Sequence, residues 1–118
     1  MTTIHLKRVY EPASTDDGYR ILVDRLWPRG VSKEKARIDY WEKGVTPSPA
    51  LRTWFGHDPR KWHEFSRRYR EELEKNSAAV DAFKKIISKE PVVTFVYGAK
   101  DTEHTHAIVL KEFIESTK

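Results

Sequence analysis

The order of apolar and polar residues divides the chain into short strands and amphipathic helices. Residues 4–10 alternate with a period of two, as in a strand with one buried face. Residues 19–23 form a short, largely apolar run, and residues 91–97 form a longer one. The nearly continuous apolar character of residues 91–97 predicts a strand that is buried on both faces, as in a parallel sheet. Residues 11–18 are dense in turn-forming residues, which predicts a surface loop.

Apolar residues spaced three or four positions apart predict the helices that separate these strands. Asp58 and Pro59 suit the N-cap and the first position of a helix in the middle of the chain. The predicted apolar stripes are Trp62, Phe65, Tyr69 and Leu73 in this helix, Val80, Phe83 and Ile87 in the next, and Ala107, Leu110 and Phe113 or Ile114 in the last. Asp101 or Thr102 is predicted to cap the last helix.

Two shorter helices are predicted before the central one. Ser32 suits the N-cap of a helix through Ala36, and Ser48 with Pro49 suits the start of another. Residues 38–45 fit either a strand or a helix. Strands that alternate with helices predict an α/β fold. We therefore expect residues 1–118 to form a single three-layer domain with a small, mostly parallel sheet flanked by helices.

Composition restricts the class of protein. A chain of 118 residues corresponds to one domain, and the absence of cysteine excludes a disulfide framework, a zinc ribbon and a thiolate nucleophile. No apolar run approaches the roughly 20 residues that cross a bilayer, and the first residues lack the apolar core of a signal peptide. These features predict a cytoplasmic protein without membrane partners, and they leave the oligomeric state open.

The chain is mildly basic, with 22 Lys and Arg residues against 18 Asp and Glu residues. The excess lies within residues 1–75, where five cations precede or interrupt the central apolar stripe: Arg60, Lys61, Arg67, Arg68 and Arg70. A nucleic-acid-associated or regulatory interaction module without catalytic activity is therefore an alternative function. It is disfavoured because acidic residues interrupt the basic ones almost everywhere, whereas phosphate-driven binding needs clustered cations.

Polar side chains follow two of the predicted strands. Asp24, Arg25 and Arg29 surround Trp27 after the second strand, and Lys100, Asp101 and His104 follow Tyr97 at the end of the last strand. Ligands of open α/β sheets bind beyond the carboxyl ends of the strands. If the sheet is parallel, the two loops converge, and their cations form a pocket for an anion.

This pattern predicts that the protein binds a small molecule with a phosphate or carboxylate group, such as a nucleotide or sugar phosphate. Whether the protein also catalyses a reaction on this molecule is left open. Arg25, Arg29 and Lys100 are predicted to hold the anion, and Asp24 in the same loop is a further ligand-binding candidate. Trp27 or Tyr97 is predicted to stack on a ring. The candidates for proton transfer are His57, Asp101 and His104.

Each candidate also has a structural explanation. Asp24 is able to bond its own loop backbone, and Arg25 is able to pair with Asp24 or Glu42. His57 lies between Gly56, which suits the end of one helix, and Asp58, which suits the start of the next. A histidine in such a corner is explained equally well by a hydrogen bond to a nearby carbonyl.

Sequence motifs for metals and cofactors are absent. The five histidines lack the i, i+4 spacing of helical zinc sites, and His104 and His106 are two residues apart. No G-x-G-x-x-G, Walker or G-x-S-x-G motif occurs. No cofactor and no metal are therefore predicted.

Four separated motifs resemble the YeaO-like branch of a large bacterial domain-of-unknown-function family. The motifs are residues 6–10, residues 24–30, residues 54–59 and residues 97–101 with His104, in that order along nearly the whole chain. The resemblance implies a small cytoplasmic α/β protein of bacteria and archaea, and it implies no particular reaction. One departure is Thr105, because the family often has asparagine directly after the histidine of the last motif.

Overall fold

The structure, a computed structural model, describes residues 2–117. The strands in that range are β1 (Thr3–Arg8), β2 (Tyr19–Leu22), β3 (Tyr40–Trp41) and β4 (Val92–Tyr97). The α-helices are α1 (Lys33–Ala36), α2 (Pro49–Phe55), α3 (Trp62–Lys75), α4 (Ser77–Ser88) and α5 (His106–Ser116). Short 3₁₀ helices occupy Thr15–Asp17 and Pro59–Lys61.

The four strands form one sheet in the order β1-β4-β2-β3, and every neighbouring pair is parallel. β4 lies between β1 and β2, with Phe95 opposite Leu6 on one side and Ile21 on the other. This arrangement confirms the predicted α/β class and parallel sheet. Because β2 and β4 are neighbours, their carboxyl ends lie side by side.

The two faces of the sheet are covered differently. Ile21 and Phe95 belong to the main core, which α2, α3, α4 and α5 complete with residues such as Phe65 and Leu110. The opposite face carries a smaller apolar cluster of Val9, Ala36 and Val96, against which Trp27, Val31 and Ile38 pack. Both faces of β4 are therefore buried, as its apolar sequence predicts.

A network of charged residues completes the second face. The buried carboxylate of Asp17 accepts hydrogen bonds from Lys7 Nζ at 2.9 Å and from Arg20 Nη1 at 2.5 Å. Arg20 also donates through Nε and Nη2 to the carbonyl oxygen of Ala36. The network thus joins β1, β2, a 3₁₀ helix and α1, and it gives each buried charge a partner, as burial of charge requires.

The predicted N-caps of the three middle helices are confirmed, and that of the last helix is wrong. The side chains of Ser32, Ser48 and Asp58 each accept a hydrogen bond from the first turn that follows. Helix α5 instead begins at His106 with Thr105 as its N-cap. Asp101 caps an isolated turn that precedes the helix, because its Oδ1 accepts from the backbone N–H groups of residues 103 and 104.

Two element boundaries also differ from the sequence prediction, and one segment that the sequence left open between strand and helix is assigned. β1 ends at Arg8, two residues before the alternating pattern stops. The helix predicted after Asp58 begins with a 3₁₀ turn, and α3 follows from Trp62. Residues 38–45 contain the two-residue edge strand β3, which pairs only with β2 in the described part of the chain.

Candidate functional site

A cavity of about 380 Å³ opens at the carboxyl ends of β2 and β4. It is lined by the loop after β2, the loop after β4, helix α2 and the corner at His57. The two loops are joined directly, because Asp24 Oδ2 accepts a hydrogen bond from the N–H of Gly98 at 2.9 Å. The loops after the two strands therefore meet, as the parallel sheet requires.

The loop after β2 has a fixed backbone and two free cationic side chains. Trp27 Nε1 donates to the carbonyl oxygen of Val31 at 2.7 Å, and the Tyr10 hydroxyl donates to that of Arg29 at 3.1 Å. The indole of Trp27 also meets the ring of Trp41 edge-on at 5.5 Å. Arg25 and the Arg29 side chain are exposed at the cavity, and neither pairs with a carboxylate among residues 2–117.

Helix α2 brings a third arginine, Arg52, to the same cavity. The helix is anchored at its start, since Ser48 Oγ accepts from the N–H of Leu51 and donates to Glu72 Oε2 at 2.6 Å. Within residues 2–117 the guanidinium of Arg52 also lacks a carboxylate partner. Sequence reasoning missed Arg52, although its spacing of three from Phe55, another lining residue, places both on one helical face.

Asp24 and His106 form the floor of the cavity. His106 Nε2 lies 2.9 Å from the carbonyl oxygen of Val23 and 3.5 Å from Asp24 Oδ1. Because a carbonyl oxygen only accepts, Nε2 carries the proton of the neutral ring. Burial lowers the pKa of His106, while the nearby Asp24 carboxylate opposes that shift. Burial likewise raises the pKa of Asp24, against the opposing effects of His106 and the Gly98 N–H group.

His106 was not among the predicted site residues, because its two-residue spacing from His104 gives no metal-binding pair. The structure gives it a different role, since the ring closes the space between the end of β2 and the start of α5. The signal that points to such a residue is its position at the beginning of the helix that follows the last strand.

His57 lines the cavity from a sharp corner. Gly56 ends α2, as predicted, and it adopts the left-handed conformation. His57 follows with a positive φ of 58°. Asp58 does not orient the His57 ring, because its carboxylate pairs with Arg60 and accepts from the Arg60 N–H at 3.0 Å. The Arg60 side chain correspondingly lowers the pKa of Asp58.

His104 is oriented by Asp101. His104 Nδ1 lies 2.8 Å from Asp101 Oδ2, and the imidazole meets the Trp62 ring edge-on at 5.4 Å. The N–H group of Glu103 and the His104 side chain lower the pKa of Asp101, so this carboxylate stays ionised near neutral pH. His104 lines the cavity, whereas Asp101 acts on it only through His104.

The cavity brings together six of the nine residues selected from the sequence, namely Asp24, Arg25, Trp27, Arg29, His57 and His104. Tyr97 is 3% exposed and belongs to the main core. Lys100 is exposed and does not line the cavity. Asp24 accepts a hydrogen bond from the loop after β4 rather than from its own loop, and its Oδ1 lies 3.5 Å from His106 Nε2, whereas Arg25 does not pair with it.

The five basic residues that suggest the alternative function of nucleic-acid association all contact an acidic side chain or a backbone carbonyl of the protein. Arg67 and Arg68 pair with Glu64, Arg60 pairs with Asp58, and Arg70 lies 3.6 Å from Glu112. Lys61 donates to the carbonyl oxygen of Trp54 at 2.8 Å. Acids on the same surface therefore compensate much of the positive charge of this helix.

Two further observations concern metals and membranes. Among residues 2–117, no three His, Asp or Glu side chains are grouped so as to hold a metal ion. No helix in that range has both the length and the apolar character needed to cross a bilayer.

Comparison with known proteins places the chain among bacterial relatives. The family model described as "Inactive DUF488-N3 subclade" matches residues 3–118. The chain is 42% identical over 113 residues to the uncharacterised protein YeaO of Escherichia coli K12, covering 96% of this chain and 97% of that protein. Uncharacterised proteins of Mycobacterium tuberculosis and Mycobacterium bovis match with 42% identity, covering 96% of this chain and 94% of theirs. No solved structure matches. The resemblance drawn from the four motifs is thus confirmed.

Proposed function

The chain belongs to the family described as "Inactive DUF488-N3 subclade", and we propose that it binds an anionic small molecule without transforming it. The ligand carries a phosphate or carboxylate group and occupies the cavity at the ends of β2 and β4. The description of the subclade supports a binding role over a catalytic one. His57 and His104 then serve as ligand contacts, and Asp101 holds the His104 ring in position.

The observation that carries the proposal is that three arginine residues line one cavity. Arg25, Arg29 and Arg52 come from two separate elements, and none has a carboxylate partner among residues 2–117. Five other arginines of the chain do pair with acids: Arg20, Arg60, Arg67, Arg68 and Arg70. Arginine presents a planar fork that matches phosphate and carboxylate groups. Unpaired arginines around a cavity therefore favour an anionic ligand.

Substitution of Arg52 tests this proposal. We expect titration calorimetry with inorganic phosphate, pyrophosphate, phosphate monoesters and small dicarboxylates to find saturable binding. Arg52→Ala should weaken the affinity about tenfold or more, since a hydrogen bond to a charged group contributes roughly 1.5–3 kcal/mol. Lys85→Ala is the matched control, because it removes one positive charge from an exposed position on α4, outside the cavity.

Two results would contradict the proposal. One is the absence of saturable binding to every anion in the set. The other is binding that Arg52→Ala and Lys85→Ala weaken equally, because such binding depends on net charge and not on the cavity. The nucleic-acid alternative has no comparable support, since its five cations already have partners within the chain.

A further inference from the structure

The two carboxylate oxygens of Asp24 lie at the floor of the cavity, and only one of them accepts a hydrogen bond from the protein. Oδ2 accepts from the Gly98 N–H at 2.9 Å. Oδ1 lies 3.5 Å from His106 Nε2, but the proton on that nitrogen is directed to the carbonyl oxygen of Val23. Within residues 2–117 no other donor reaches Oδ1. The Asp24 side chain is 20% exposed and lines the cavity, so Oδ1 is available to a ligand.

The orientation of this carboxylate is fixed before any ligand arrives. A Cβ atom at Gly98 would lie 3.1 Å from Asp24 Oδ2 and 3.7 Å from the Pro28 side chain. Glycine therefore allows the close approach that the hydrogen bond requires. The backbone of Asp24 is held as well, because Trp41 Nε1 donates to its carbonyl oxygen at 2.7 Å. An acceptor held in this way binds a donor with little loss of conformational freedom.

The floor and the opening of the cavity therefore favour different chemical groups. The arginines attract an anion, whereas Oδ1 repels one and offers no proton to a phosphate oxygen. A ligand group beside Oδ1 must be a donor, either a hydroxyl or an ammonium. Arg52 acts on Asp24 as a positive neighbour, which disfavours a further cation there. A hydroxyl group does not meet this obstacle.

We propose that the cavity selects a phosphate monoester that also carries hydroxyl groups, and that Asp24 Oδ1 accepts a hydrogen bond from one of those hydroxyls. This inference rests on the proposed function. It adds the class of ligand and names Asp24 as the residue that distinguishes hydroxyl-bearing esters from esters without hydroxyls. A cavity of about 380 Å³ lies at the lower end of the range of small-molecule sites. Its size fits one compact polyol phosphate better than a dinucleotide.

The test compares three probes on the wild-type chain and on Asp24→Asn. Inorganic phosphate reports on the anion alone, while glycerol 3-phosphate and propyl phosphate have the same carbon chain with and without hydroxyls. We expect the wild type to bind glycerol 3-phosphate about tenfold more tightly than propyl phosphate, the ratio for one hydrogen bond to a charged acceptor. In Asp24→Asn this preference should fall to about threefold or less, while the affinity for inorganic phosphate is retained or increased.

The outcomes separate this inference from the proposed function. Equal wild-type affinity for the two esters, with binding that still depends on Arg52, overturns the hydroxyl preference and leaves anion binding intact. A uniform loss of affinity for all three probes in Asp24→Asn also overturns it, because Asp24 would then only support the site. If none of the three probes binds to the wild type, this inference fails, and the proposed function fails as well if the small dicarboxylates also do not bind. The wild-type ratio alone decides the question if the variant does not fold.

Discussion

At the scale of single residues, His57 is held in a backbone conformation that glycine adopts more easily. Its φ of 58° lies in the left-handed region, which costs a non-glycine residue roughly 1–2 kcal/mol. The side chain is exposed and lines the cavity, so packing in the core does not offset this cost. Strained residues are often found at functional sites. A strained histidine beside the cavity is consistent with a contact to the ligand.

Substitution of His57 by glycine separates stability from binding. We expect His57→Gly to raise the free energy of unfolding by about 0.5–1 kcal/mol, as measured by urea denaturation, while ligand affinity falls. Arg37→Gly is the matched control, because Arg37 has a φ of 48° and lies outside the cavity. It should raise stability similarly without affecting affinity. A loss of stability in His57→Gly would show that the imidazole has a structural role instead.

At the scale of elements, the cap of α5 separates the two histidines that line the cavity at the start of this helix. Thr105 is buried, and its Oγ1 accepts from the N–H of Ala107 at 3.4 Å. The helix therefore begins at His106, which reaches the end of β2, while His104 remains in the preceding turn. Asparagine, the residue that the family resemblance leads us to expect at this position, is also a strong N-cap residue. The departure at Thr105 thus preserves the capping function.

Removal of the cap should shorten α5 and reduce stability. We expect Thr105→Ala to lower the free energy of unfolding by about 1 kcal/mol in urea denaturation, and Thr105→Ser to recover most of this loss. Thr102→Ala should change stability by less than about 0.5 kcal/mol, because Thr102 is exposed and caps no helix. A larger effect of Thr102→Ala than of Thr105→Ala would contradict the observed start of the helix.

At the scale of the whole molecule, the Asp17 network holds the second face of the sheet. Burial alone would raise the pKa of Asp17, but hydrogen bonds from Lys7, Ser14 and Arg20 outweigh it and lower the pKa below its usual 3.8. Asp17→Asn leaves the 4% exposed Arg20 side chain without its counter-charge. We expect a loss of about 3 kcal/mol at pH 7 in urea denaturation, a value typical of a broken buried ion pair.

The pH dependence of the stability difference between wild type and Asp17→Asn checks this assignment of the ion pair. A carboxylate whose pKa is lowered in the folded state contributes stability above its unfolded pKa of 3.8 and loses it as the pH falls through the folded value. The difference between wild type and Asp17→Asn should therefore be constant near neutral pH and shrink below about pH 3.8. Asp16→Asn is the control, since Asp16 is exposed in the same 3₁₀ helix and pairs with no cation within the described residues. A difference that grew in acid would contradict this assignment.

Much of the candidate site could be predicted from the sequence, because several of its residues directly follow the end of a strand. Asp24, Arg25 and Arg29 follow an apolar strand directly, so the parallel sheet fixes where they lie. Lys100 was misleading, because the loop after β4 runs on to residue 105 and carries this side chain away from the cavity. Arg52 was missed because it lies in mid-helix, where no strand end marks its position.

The sequence by itself determined the class of fold, the approximate extents of most elements and the loops that form the cavity. These features depend on local patterns of apolar residues, on caps such as Ser48 and on the parallel arrangement that alternating strands and helices impose. Only the tertiary structure decided that β4 lies between β1 and β2, that Arg52 and His106 join the cavity, and that Asp24 keeps one oxygen free. Those facts depend on contacts between residues far apart in the chain, which local periodicity does not encode.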